Sequence, residues 1–170
     1  MSKSDRLLLI LHLGFAIFTL GPLTAATMAT PRFIRRRDTV VLRYLNRTTR
    51  IYGLGTLGIL LFGVYLAKGD FARVWLTASL TLFAVALVLL MLVERDQRRA
   101  IHKLEVAEAE AAPAASADND KAETKDGADE AAEPPAPDDI AQVERGRIAS
   151  MSGVVALLWL VILFLMVWYD

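Results

Sequence analysis

Four long apolar runs dominate the chain, each bordered by charge. The first, Leu7–Thr30 (LLLILHLGFAIFTLGPLTAATMAT), has 24 residues and no charge. At 1.5 Å per residue it reaches about 36 Å, enough to cross a hydrocarbon core of about 30 Å. Pro22 removes a backbone donor and is expected to kink this run near Phe18, whose freed carbonyl then needs Thr19 or a neighbouring helix. Pro31 is expected to end the span. Asp38 is a suitable N-cap for a new helix. Within it Val40, Val41, Tyr44, Leu45, Thr48 and Ile51 recur at helical spacing, with Arg43, Asn46, Arg47 and Arg50 on the other face. This predicts an amphipathic interfacial helix over 38–50 that runs into a second span at 51–67.

The third span is expected at 74–93, with Trp75 at the interface, where an indole is favoured. Helical signal continues beyond it through 94–112. Glu94–Arg98 and Arg99–Lys103 are each spaced four apart, the first pair attractive and the second repulsive. Residues 113–140 are Ala, Asp, Glu, Pro and Lys with almost no large apolar side chain. Such a segment buries too little surface to offset its ordering entropy, and a disordered linker is expected. The fourth span is expected at 151–168, closing on Trp168 and Tyr169. The fold class is therefore all-α: a four-transmembrane-helix bundle with a disordered acidic insert. It divides into a membrane domain at 1–112, the linker at 113–140, and 141–170 with the last span.

Charge orients this arrangement. The chain is formally neutral, but Leu104–Asp139 holds twelve acids against two bases, leaving a basic membrane body. Loops 31–50 and 94–150 share one side of a four-span chain. They place Arg32, Arg35, Arg36, Arg37, Arg43, Arg47, Arg50, Arg95, Arg98, Arg99, Lys103, Arg145 and Arg147 near the spans, against Lys3, Arg6, Lys68 and Arg73 on the other side. The positive-inside rule then puts both loops in the cytoplasm and both termini outside, in the cell (cytoplasmic) membrane. The Ala- and Arg-rich composition suits a high-GC bacterium. The basic start could open a signal peptide, but the run exceeds a signal core of about 7–15 residues and exits into arginines, so a retained span is expected. The seven arginines Arg32, Arg35, Arg36, Arg37, Arg43, Arg47 and Arg50 are expected to hold anionic lipid headgroups, at about 1 kcal/mol each near the surface. Because they abut spans, phospholipid explains them better than nucleic acid. The absence of cysteine excludes disulfides, thiolate catalysis and cysteine metal sites.

Little else carries chemistry. Gly53-Leu54-Gly55-Thr56-Leu57-Gly58 spells G-x-G-x-x-G, but inside an apolar span with no strand before it. Small residues that let helices approach closely are the better reading, extended by Gly63 and Ala67. Ionisable groups within spans are rare, which makes His12 the one intramembrane candidate. It is read either as a neutral imidazole bonded to a backbone carbonyl or threonine, or as a haem ligand, metal ligand or proton relay. By depth, Met166 is its best partner as a second ligand, since His102 lies beyond the third span on the opposite side. His102 is read as solvated, and Lys68 and Arg73 as snorkelling anchors. Thr77, Ser79 and Thr81 could bond between helices, and no base stands near to activate them. No catalytic residue or metal site is assigned.

Leu11-His12-Leu13-Gly14, the apolar run to Leu20-Gly21 and the basic exit at Arg32 resemble the first helix of the CopD-like superfamily of small bacterial membrane proteins. That group includes copper-resistance CopD domains, HemJ-type protoporphyrinogen oxidases and uncharacterised integral membrane proteins. Arg50-Ile51-Tyr52 through Gly63, and Trp75-Leu76 opening the third span, fit the same four-helix layout. The resemblance implies haem binding at His12. The lysine, and often histidine, found after the third-span tryptophan in the HemJ-type enzymes are absent from Trp75-Leu76-Thr77-Ala78-Ser79, and Phe18-Thr19 stands where a first-helix tryptophan is common. The chain is more similar to the uncharacterised branch. The expected function is a structural or accessory membrane protein, not an enzyme, contacting lipids and a homo-oligomeric or membrane-complex partner. The alternatives are a haem- or porphyrin-linked redox protein using His12, and a metal-handling or transport component.

Overall fold

The computed structural model describes residues 3–69, 71–118 and 140–169. These form four helices: α1 (Lys3–Arg35), α2 (Thr39–Leu66), α3 (Val74–Asp118) and α4 (Gln142–Tyr169). All four are long and apolar enough to cross a membrane. They pack as an all-α bundle in cyclic order, α1 beside α2 and α4, α3 beside α2 and α4, every neighbour antiparallel. Of the expected disordered linker, the backbone at 113–118 is the helical end of α3, and 119–139 lies outside the described residues.

Pro31 does not end the first helix, which runs on to Arg35. A proline inside a helix frees the carbonyl four residues back, here that of Thr27. Ser152 of α4 donates its hydroxyl to that carbonyl at 3.4 Å, which offsets the loss. The helix stops instead at a left-handed residue, Arg37 (φ 53°). Arg37 N–H donates to the Ile34 carbonyl at 3.0 Å and Asp38 N–H to the Phe33 carbonyl at 3.2 Å, closing the last turn. Asp38 then caps α2 as expected, Oδ1 accepting from Val41 N–H at 3.0 Å.

The 38–50 segment is continuous with the second span, but it is rotated from the expected orientation. Leu42, Leu45 and Thr49 face the bundle, while Val40 and Tyr44 are 75% and 69% exposed. Asn46, assigned above to the arginine face, turns inward to bond Gln97. The reason is that this segment packs against the extension of α3 rather than only against lipid. Ile34, Leu42, Val93, Ala100, Ile101, Leu104, Ala141 and Ile148 form one apolar core, drawn from all four helices and lying beyond Glu94 and Arg50. The bundle thus continues past its spans as a four-helix stalk.

Helix register moves one boundary. Apolar sequence ends at Ile51 on α2, Val93 on α3 and Met151 on α4. Thr19 packs at Gly55 and Ser152 reaches Thr27, so the same level on α1 falls between Leu23 and Met28, short of Thr30. The last residues of the expected first span therefore belong to the stalk. Each span then holds roughly 17–22 residues, as a hydrocarbon core of about 30 Å requires.

The glycine-rich segment of α2 is a packing surface. A Cβ at Gly55 would lie 3.1 Å from Thr19, one at Gly63 3.1 Å from His12, and one at Gly53 3.3 Å from Leu90 of α3. At Gly58 it would lie 2.6 Å from the Phe15 ring, which packs on Phe62 with centroids 5.3 Å apart. Gly58→Ala is expected to destabilise the bundle by about 1–3 kcal/mol through overpacking. Gly146→Ala and Gly153→Ala, whose Cβ atoms would meet nothing within 4 Å, are controls expected to melt in detergent like the parent.

Candidate functional site

His12 sits on the bundle-facing side of α1, buried at 9% exposure. Its Nδ1 lies 3.0 Å from the Ile59 carbonyl of α2. A carbonyl only accepts, so Nδ1 carries the proton and Nε2 is the lone-pair atom. The Cε1 edge rests on Gly63, where any larger residue would push the ring away. His12 therefore ties α1 to α2, the first of the two readings drawn from the sequence. Met166 is half-buried against the apolar cluster of Ile59, Phe83, Ala86, Val155, Trp159 and Ile162. Both side chains thus border the core that contains Ile59, in the half of the bundle away from the stalk. His102 is elsewhere: it is exposed and lines an open groove of about 470 Å³ with Lys103, Val106, Ala107, Glu110, Ile140 and Ala141. Among the described residues no group of three or more His, Asp or Glu could hold a metal ion.

Comparison of the chain with protein-family models, curated proteins and solved structures finds no match. Function must therefore be argued from the residues.

A second polar site was not read from the sequence. Gln97, 1% exposed, lies where the spans meet the stalk. Its Nε2 donates to Thr30 Oγ1 at 2.8 Å and Thr49 Oγ1 at 3.2 Å, and its Oε1 accepts from Asn46 Nδ2 at 3.2 Å. Thr30 Oγ1 passes its own proton to the Ala26 carbonyl at 2.8 Å. One amide so joins α1, α2 and α3. Next to it Asp96 is fully buried, and neither carboxylate oxygen has a hydrogen bond. Its countercharge is Arg147 of α4, Nε at 3.4 Å. The missed signal was periodic: Val93, Gln97, Ala100, Ile101 and Leu104 carry the buried phase of α3 through the charged stretch.

Ion pairs close the stalk. Glu94 and Arg98 pair along α3 at 3.1 Å, as their spacing implies. Lys103, set against Arg99 by spacing, is drawn to Glu144 of α4 at 2.6 Å. Arg43 donates through Nε to Glu105 at 2.8 Å, so this arginine is committed to α3. Burial raises the Glu144 carboxyl, but the hydrogen bond from Lys103, backbone bonding and the charges of Lys103 and Arg99 together outweigh it and hold it below its ordinary value of 4.5. A depressed folded value means stability that is present above about pH 4.5 and lost as pH falls through the folded value. Lys103→Met is expected to remove part of that acid-linked loss. Melting in detergent between pH 6 and pH 3.5 should show a shallower decline for the variant; parallel curves would count against this link.

The seven arginines first assigned to headgroups are all exposed, and they occupy two levels. Arg47 and Arg50 lie within about 6 Å of the level where the apolar runs end, inside a headgroup layer of roughly 5–8 Å. Arg95 and Arg98, two and five residues past Val93 on α3, join them in that layer, and Arg99 and Arg145, six residues from Val93 and Met151, lie just outside it. Arg35, Arg36 and Arg37 lie at the α1–α2 turn, about 10–20 Å further out along the stalk, with Arg32 between. Thr77 and Thr81 bond carbonyls of their own segment, those of Phe71 and Thr77, both at 2.9 Å. Ser79 is buried without a partner. None of the three bonds between helices.

Proposed function

We propose that this chain is a structural or accessory protein of the bacterial cytoplasmic membrane, with the stalk in the cytoplasm and both termini outside. The observation that carries the reading is the stalk itself: all four helices leave the apolar layer together and build a second core beyond it. A rigid extramembrane body held at fixed depth suits a protein that presents a surface to a membrane-complex partner or a second copy. Arg47, Arg50, Arg95 and Arg98 ring its base at headgroup depth. There, each would contribute about 1 kcal/mol toward anionic lipid. The basic ring, set against Lys3, Arg6, Lys68 and Arg73 at the far end, supports the orientation.

The chain has no cysteine, so single-cysteine variants test the orientation cleanly. From outside intact cells Gly69→Cys should label and Arg36→Cys should not; the reverse pattern overturns the topology. A photo-crosslinker at exposed Tyr44 should capture a defined membrane partner or a second copy. Lipid adducts alone would count against the accessory role.

A second reading is favoured by one observation at His12. A histidine that donates Nδ1–H to a carbonyl presents Nε2 as a ligand, which is how ligating histidines are oriented. A haem-linked protein of the CopD-like kind would use His12, with Met166 as the nearest candidate thioether by depth. Such a group would supply one-electron chemistry, and the chain would supply a ligating nitrogen from His12 and an apolar surround. The absorption spectrum of the detergent-purified protein discriminates. A Soret band lost in His12→Ala would establish this reading, and a colourless, metal-free protein would sink it along with a metal-handling role.

A further inference from the structure

We propose that the exposed arginines of the α1–α2 turn form a docking surface for the acidic segment 119–139 of the same chain. Arg32 and Arg35 stand on the last turn of α1 and Arg36 directly follows it, and none of the three makes an ion pair with a described residue. Asp38, the acid next to them in sequence, is engaged as the N-cap of α2. Arg36 lies over the Phe33 ring at 5.9 Å, a cation–π contact, and stays exposed. Val40 and Tyr44 extend the surface along α2 with exposed apolar area. Arg35 and Arg36 sit about 10–20 Å beyond the end of the apolar runs, past the headgroup layer, so lipid does not account for them.

Three features select the occupant. The first is charge: residues 119–139 hold eight acids and two lysines, the opposite sign to the turn. The second is placement. In an antiparallel bundle the α1–α2 turn and the α3–α4 connection share one end, whichever side of the membrane that end faces. The third is path. Glu105 pairs with Arg43, four residues inside the start of α2, and Glu110 still lines a groove with Ile140 and Ala141, so about eight residues of α3 overhang the rest of the bundle. The chain is carried about 12 Å beyond the stalk tip and must return to Ile140 at that tip. A 21-residue segment, about 70 Å if extended, covers that return with length to spare for the arginines. Tethering at both ends keeps the local concentration of acid high, so weak individual pairs suffice.

The experiment uses the full-length protein in nanodiscs, spin-labelled at Thr39→Cys and Ala128→Cys. The expected result is a short, narrow distance distribution at low salt. It should broaden at about 1 M salt, where screening falls to about 3 Å, and in Arg32→Gln/Arg35→Gln/Arg36→Gln. Substituting Val40→Ala should leave the salt dependence in place. A broad distribution that neither salt nor the arginine variant changes would overturn the proposal. So would a short distance found only on mixing two singly labelled proteins, which would assign the surface to a second copy. Neither outcome bears on which side the stalk faces, so this proposal and the topology above fail independently.

Discussion

Arg147→Ala is expected to destabilise the bundle by about 3–5 kcal/mol, because it strands a buried carboxylate. Asp96 is fully buried with no hydrogen bond to either oxygen, and Arg147 at 3.4 Å is its ion-pair partner. Arg147 is itself half exposed, its side chain at 51%, so its removal costs little packing of its own. The cost comes from the group left behind. That makes a sharp second prediction: Asp96→Asn in the Arg147→Ala background should recover most of the loss, since the amide carries no charge to strand. Thermal melting of the four proteins of the cycle in one detergent tests both statements. If the two single substitutions simply add, the pair is not coupled and the argument fails.

Gln97→Ala should cost about 3–4 kcal/mol, from a cavity and three lost hydrogen bonds at once. Its amide is the point where Thr30, Thr49 and Asn46 meet, so the loss falls on three helices rather than one. Gln97→Leu separates the two contributions. Its volume fills most of the cavity and still leaves the Asn46 amide reduced to a 3.4 Å contact with the Glu94 carbonyl. A Leu variant about as stable as the parent would show that the belt packs but does not bond. A Leu variant nearly as weak as Ala would show that the hydrogen bonds dominate.

Much of the fold was legible because lipid imposes simple demands. An uncharged run long enough to cross and a cap at Asp38 leave few arrangements. Close packing at Gly55, Gly58 and Gly63 was legible for the same reason: small residues in a span have few other uses. The stalk was not legible. Beyond Glu94 the buried positions of α3 are Asp96, Gln97, Ala100, Ile101 and Leu104, and the first two of those five are polar. A hydropathy reading stops where the charges begin, although the helical phase does not. Ala25–Thr30 is mild enough to read as membrane, yet it supplies Thr30 to the polar contacts of Gln97. His12 was singled out correctly as an inward-facing group. Its tie to Ile59 could not be read because the acceptor is a backbone atom, which sequence does not specify.

The hydroxyl that Ser152 lends to the Thr27 carbonyl ties the first helix to the last. Synthesis runs from the N-terminus, so α1 reaches the membrane with Pro31 already in place and its open carbonyl unanswered. For the time needed to make more than a hundred residues, that carbonyl depends on water at the membrane edge or on a helper. Assembly is finished only when α4 arrives. A nascent chain stalled before Ser152 should therefore be the form most exposed to quality-control proteolysis, with the vulnerable point at α1, far in sequence from the missing helix.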